Sequence, residues 1–116
     1  MSTLQLTPDQ AVLRLSRDLG LTTATLAQAT GTSTRTVERW RTGETLPQRD
    51  ARRRLADLLA LDRRLRETFD SPESIRTWLH AENRYLGGLS PADAVKVGRV
   101  DRVEAALEAL DSGIFV

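Results

Sequence analysis

The sequence predicts an all-α protein, and three observations carry that expectation. Aromatic residues make up only 4% of the 116 residues while 40% are hydrophobic, so a core must be built mostly from Leu, Ala and Val. Apolar residues recur at spacings of three and four, the period of a helix that buries one face. Cap-then-proline pairs and isolated glycines fall where helices would start and stop. No alternating stretch is long enough to argue for a strand, and no internal repeat is visible.

Thr7-Pro8 opens the first helix, and Ala11, Val12, Leu15 and Leu19 keep the helical period until Gly20 ends it. A second begins at Thr22 or Thr23, carries Leu26, Ala27 and Ala29, and stops at Gly31. Ser33 caps a short third helix holding Val37 and Trp40, closed by Gly43. After Pro47 a long helix is expected from about Arg49 to Phe69, with Leu55, Leu58, Leu59, Leu61 and Leu65. Ser71-Pro72-Glu73 restarts the chain through Ile75, Trp78 and Leu79. Gly87-Gly88 break it, Ser90-Pro91-Ala92-Asp93 opens a short helix with Ala94 and Val95, and Gly98 closes that one.

The last helix is expected from Asp101 to Leu110. Val100, Val103, Leu107 and Leu110 form its apolar stripe, opposite an acidic face of Asp101, Glu104, Glu108 and Asp111. Ser112-Gly113-Ile114-Phe115-Val116 then ends the chain, whereas chain ends are normally polar and frayed. Three apolar residues in that place either fold back onto the core or dock into another molecule, and composition does not choose.

Composition excludes several function classes. Cysteine is absent, which removes disulfides, thiolate metal sites and cysteine nucleophiles together. His80, the lone histidine, leaves little for zinc or for a serine triad, so neither a metal nor a cofactor is expected. No apolar run approaches the roughly 20 residues of a membrane span, and the start lacks the charged-then-apolar pattern of a signal peptide. A cytoplasmic protein with no membrane partner is the simplest expectation.

The net charge is +1, but its distribution is uneven. Residues 1–58 carry nine arginines against six acids, whereas residues 59–116 carry eight basic and ten acidic groups. Residues 31–54 alone hold seven arginines (35, 39, 41, 49, 52, 53 and 54) against Glu38, Glu44 and Asp50, a net of +4. Such a local field attracts phosphates. Arg-rich helices are also often plain solvated faces, so charge by itself leaves the partner open.

Spacing narrows it. Leu26-Ala27, Gly31, Ser33, Val37 and Trp40 are placed as in a helix-turn-helix. Ala27 is small where two helices cross, Gly31 tolerates the positive φ of a tight turn, and Val37 and Trp40 share one buried face. The opposite face presents Arg35, Glu38 and Arg39, flanked by Thr34 and Thr36, and in this motif that face enters the major groove. Arg35 and Arg39 suit guanine O6/N7, and Glu38 suits cytosine N4. Thr32, Ser33 and Thr34 lie where hydroxyls and backbone N–H groups meet phosphate. Arg41, Gln48 and Arg49 are read as phosphate clamps; Arg52, Arg53 and Arg54 fan over about 200°, so at most two share a backbone. The plain alternative is a three-helix fold whose outward arginines are merely solvated.

Two segments together resemble a known family. Residues 26–46, LAQATGTSTRTVERWRTGETL, look like the helix-turn-helix of Xre-type regulators. Residues 78–116, with Trp78-Leu79, Asn83, Leu86-Gly87-Gly88, Ser90-Pro91, Asp93, Gly98, Val103 and the closing Gly113-Ile114-Phe115-Val116, look like the toxin-binding domain of Xre/MbcA/ParS antitoxins. The resemblance implies an N-terminal helix-turn-helix bundle over residues 1–60, joined by a long helix to a small helical toxin-binding domain over residues 61–116. It implies a cognate RES-domain toxin that consumes NAD⁺, neutralised when the C-terminal region covers its substrate pocket. Ser112, Gly113, Ile114, Phe115 and Val116 are then the inhibitory residues, with Gly113 permitting a bend. Operator DNA and a second copy of the chain are the further partners it implies, for repression of its own operon.

The resemblance also gives Trp78, Pro91 and Val103 a scaffold role and Asn83 a place in the glycine turn. Two other classes compete. A stand-alone repressor with a C-terminal dimerisation domain has no use for an apolar end. An enzyme must find its chemistry without cysteine and with one histidine, and no catalytic residue is assigned. Ser90-Pro91-Ala92-Asp93 reads as a helix start, and Gly87-Gly88 lack the context of a phosphate-binding loop.

Overall fold

A computed structural model of the chain describes residues 6–113. Among these residues the structure is helical throughout: α1 (Pro8–Leu19), α2 (Thr23–Thr30), α3 (Thr34–Arg41), α4 (Arg49–Thr68), α5 (Pro72–His80), α6 (Pro91–Lys96) and α7 (Val100–Asp111), with a 3₁₀ turn at Arg84–Leu86 between α5 and α6. The starts are set by side-chain caps, each of which typically stabilises a helix by about 1 kcal/mol. Thr22 Oγ1 accepts the Thr25 N–H at 3.1 Å, which resolves the choice between Thr22 and Thr23. Ser33, Ser71 and Ser90 do the same for Thr36, Ser74 and Asp93, each at 3.1 Å. Asp93 returns the contact by accepting the Ser90 N–H at 2.9 Å.

One continuous apolar cluster runs through both halves of the chain. It joins Leu15 and Leu19 of α1, Val37 and Trp40 of α3, Leu58, Leu61 and Leu65 of α4, Leu79 of α5, Val95 of α6 and Leu107 of α7. α4 is the spine, packing on α1 and α2 as well as on α5 and α7. The helix-turn-helix therefore sits on the same long helix that supports the C-terminal elements.

The differences from expectation have local causes. α4 ends at Thr68; Phe69 is extended and its ring lies 5.6 Å from that of Trp78, so an inter-helix contact competes with one more helical residue. The 3₁₀ turn was not legible as a pattern. Asn83 organises it, with Oδ1 accepting the Tyr85 N–H at 2.9 Å and its carbonyl accepting from Gly88 at 2.9 Å. On α7 the buried face is Val103, Ala106, Leu107 and Ala109, while Val100 is half-buried and Leu110 is exposed. α7 touches α4, α6 and the 3₁₀ turn together, and alanines admit close neighbours on two sides.

Asp62, an acid within the leucine-rich stretch of α4, is buried at 2% exposure. Arg66 Nη2 reaches its Oδ2 at 3.1 Å and also pairs with Asp18 of α1. Oδ1 of Asp62 has no hydrogen-bond partner among the described residues. Burial pushes this carboxyl above its ordinary range, against the opposing pull of Arg66.

Candidate nucleic-acid interface and C-terminal segment

Backbone hydrogen bonds close the turn between α2 and α3. Gly31 takes φ +73°, its N–H reaches the Gln28 carbonyl at 3.2 Å, and the Thr32 N–H reaches Ala27 at 2.8 Å. Val37 and Trp40, at 0% and 2% exposure, seat α3 against its neighbours. That orientation turns Ser33, Thr34 and Arg35 to solvent at the start of the helix. Thr32 is half-buried and shares a hydrogen bond with the Thr30 hydroxyl at 3.1 Å. Gln48 and Arg49 are exposed where α4 begins.

The seven arginines of this region divide into two groups. Arg41 donates from Nε and Nη2 to Glu38 Oε1 at 3.1 and 2.6 Å, and Arg39 pairs with Glu44 at 2.9 Å. Arg53 and Arg54 both pair with Asp50, at 2.9 and 3.2 Å. Arg35, Arg49 and Arg52 have no ion-pair partner among the described residues. Glu38 also accepts from the Thr23 hydroxyl at 3.4 Å, so it faces α2 and Arg41 at once. The Arg41 hydrogen bond is the main reason its carboxyl lies below the usual range. Exposed pairs of this kind contribute little, because water competes for both charges, so neither Arg39 nor Arg41 is committed to its carboxylate.

Sequence reasoning passed over Leu46. It is 74% exposed and borders a cleft of about 460 Å³ shared with Thr36, Arg39, Trp40 and Gln48. Its only signal was an apolar side chain in a loop, between Thr45 and Pro47, with no helical neighbour to cover it.

At the other end, Ser112 and Gly113 are exposed and terminate α7. Ser112 Oγ donates to the Ala109 carbonyl at 3.2 Å, and Gly113 takes φ +74° with its N–H on Leu110 at 3.1 Å. Ile114, Phe115 and Val116 lie outside the described residues. Arg64 of α4 holds the last turn of α7, with Nη2 on Asp111 Oδ2 at 2.6 Å. Leu89 and Val97, 59% and 71% exposed, flank α6.

The remaining candidates resolve structurally. His80 Nε2 lies 2.9 Å from the Leu19 carbonyl and joins α5 to α1. Among the described residues, no group of three or more His, Cys, Asp or Glu is placed to hold a metal ion. Nor is any described helix long and apolar enough to cross a membrane.

Comparison with known proteins bears on both regions. A family model described as the antitoxin Xre/MbcA/ParS C-terminal toxin-binding domain matches residues 64–113, and a helix-turn-helix domain model matches residues 11–69. The mycobacterial cidal antitoxin MbcA of Mycobacterium bovis is 35% identical over 98 residues, 84% of this chain and 86% of that one. MbcA of Mycobacterium tuberculosis gives the same figures. A probable mycobacterial cidal antitoxin of M. tuberculosis is 35% identical over 101 residues, 86% of this chain and 84% of that one. In the crystal structure of the M. tuberculosis MbcT–MbcA toxin–antitoxin complex, one chain superimposes with a TM-score of 0.69 at 31% identity, over 100% of both chains.

Proposed function

This chain belongs to the Xre/MbcA/ParS antitoxin family, and we propose that it binds and neutralises a cognate RES-domain toxin that consumes NAD⁺. The curated relatives are antitoxins, not enzymes, and no catalytic role is assigned to this chain. The observation that carries the reading is the full-length likeness to a chain of a toxin–antitoxin complex. The toxin-binding match ends at Gly113, where the apolar end of the sequence begins. Ser112 and Gly113 direct Ile114, Phe115 and Val116 into the toxin's substrate entrance. An apolar plug is stable there because it removes its own surface and that of the pocket from water.

The second activity is repression of its own operon. Arg35 and Arg39 read bases, while Thr32, Ser33, Thr34, Arg41, Gln48 and Arg49 meet phosphates. Glu38 positions Arg41 and is the acceptor available to a cytosine. Two copies of the chain place two α3 helices on two half-sites one helical turn apart.

The deciding experiment co-expresses this chain with the protein encoded by the adjacent reading frame. Growth arrest by the neighbour alone, relieved by the full chain and not by residues 1–111, supports the reading. Relief by residues 1–111 as complete as by the full chain sinks the plug. Arrest that the full chain leaves untouched sinks the antitoxin role for that pair.

A further inference from the structure

The loop between α3 and α4 holds a large apolar side chain out of the core. Gly43 takes φ +79°, and its N–H reaches the Trp40 carbonyl at 3.0 Å. The Glu44 and Thr45 N–H groups both reach the Arg39 carbonyl, at 2.8 and 3.4 Å, so this stretch is tied to the last turn of α3. Pro47, rigid at φ, is buried on the other side. Leu46 between them is 74% exposed and forgoes the stabilisation that burying a leucine gives. The cleft it borders is shared with Thr36, with Thr32, Arg39 and Gln48 of the proposed nucleic-acid face, and with Asp50. Asp50 is engaged by Arg53 and Arg54, and Glu44 by Arg39, while Arg35, Arg49 and Arg52 have no ion-pair partner among the described residues. Residues 31–54 carry a net of +4, so a polyanion matches the surroundings of Leu46 better than an apolar protein face does.

A DNA duplex offers few apolar groups, and in the major groove the one that carries sequence information is the thymine C5-methyl. Thr36 and Arg39, three residues apart, lie on adjoining parts of the face of α3 that the reading above places in the major groove. A side chain bordering the same cleft accompanies them to the base edges. We infer that Leu46 is a specificity-determining residue of the nucleic-acid face: it packs on the C5-methyl of a thymine next to the base that Arg39 reads. The inference rests on that reading of α3. It gives an uncharged loop residue a share of the sequence preference that arginines, through guanine, do not supply. Because Leu46 neutralises no phosphate, it adds affinity without adding salt dependence.

The test uses the full chain and a duplex from the region upstream of its own reading frame, with binding followed by fluorescence anisotropy. Each thymine of the bound region is replaced in turn by deoxyuridine, which keeps the hydrogen-bonding edge and lacks the methyl. At one thymine per half-site the wild-type chain is expected to lose about fourfold in affinity, the order expected for one buried methyl group. Leu46→Ala is expected to weaken binding to the unmodified duplex on the order of tenfold and to be indifferent to uracil at that position. Leu46→Met, which keeps the apolar volume, retains the uracil effect. The dependence of affinity on salt is the same for Leu46→Ala as for the wild type, whereas Arg49→Ala makes it shallower. Three results overturn the inference: no loss at any uracil for the wild type, a Leu46→Ala chain as sensitive to every uracil as the wild type, or wild-type affinity of Leu46→Ala for the unmodified duplex. If Arg35→Ala and Arg39→Ala weaken binding in the same series, the reading of α3 stands without it. A wild-type chain that does not bind the duplex, or wild-type affinity in both arginine variants, overturns that reading and this inference with it.

Discussion

His80 at the end of α5 lies with Nε2 2.9 Å from the carbonyl oxygen of Leu19 at the end of α1. The last carbonyls of a helix lack partners within it, and here a side chain sixty-one positions away occupies one of them. The contact crosses between the N-terminal bundle and the C-terminal elements. It also explains a constraint next door: a Cβ at Gly20, where φ is +65°, would sit 3.2 Å from that nitrogen and 3.3 Å from Arg76 Cδ.

Two substitutions measure that seam. His80→Ala is expected to cost about 0.5–1.5 kcal/mol, the usual worth of one hydrogen bond. Gly20→Ala is expected to cost about 1–2 kcal/mol through left-handed backbone and crowding. Urea midpoints of both single variants and the double variant check this. Because H80A removes one of the crowding atoms, the double variant should lose less than the sum.

Asp62 gives the chain a pH response of unusual sign. Its carboxyl is raised by burial, so the folded state binds this proton more tightly than the unfolded state does. The penalty is fully present above the folded value and is relieved as pH falls through it towards the ordinary carboxylate range. Asp50, Asp93 and Asp101 have lowered values, so their contributions hold above the ordinary carboxylate range and are lost as pH falls through their folded values. Stability should therefore rise on mild acidification from neutrality before it falls. Asp62→Asn is expected to remove the rise and to stabilise the neutral protein by about 1 kcal/mol, since Asp18 still pairs with Arg66. Denaturation at a series of pH values reads both effects.

On the nucleic-acid face, Arg35→Ala and Arg39→Ala are each expected to weaken operator binding by about 1–3 kcal/mol while partner capture survives. Glu44→Gln acts in the opposite direction, because it frees Arg39 and removes a negative charge from the same surface. Binding should tighten several-fold at low salt, with a steeper dependence on salt concentration. Fluorescence anisotropy on the operator duplex checks all three; unchanged affinity in both arginine variants would remove α3 as the reading element.

Trp40 carries the seat of α3 and shows how little separates folding from function here. Trp40→Ala is expected to cost about 3–5 kcal/mol, a large share of the 5–15 kcal/mol that holds a typical domain together. The variant should lose operator binding and lower the urea midpoint together, measured on the same sample, unlike Arg35→Ala, which should lose only the first.

Much of the fold was legible because its signals are local. Caps at Ser33, Ser71 and Ser90, prolines at the first helical position, and stops at Gly20 and Gly31 act through neighbours three or four residues away. Val37 and Trp40 were legible as the buried face of α3 by spacing alone. The side of the candidate site that depends on pairing was not. Whether Glu38 faces outward or binds Arg41, and which of seven arginines stay unpaired, depends on rotamers chosen among several nearby acids.

The seven α-helices, their order, the helix-turn-helix register and the family pattern are all written in local signals of the chain. Tertiary structure alone decided that Asp62 is buried, that Leu110 is not, that His80 serves Leu19, and that Arg64 holds the end of α7. The reason is physical. Helical period and capping are written within one turn of chain, whereas burial and ion pairing depend on which distant surface a helix meets, and α4 and α7 each meet more than one.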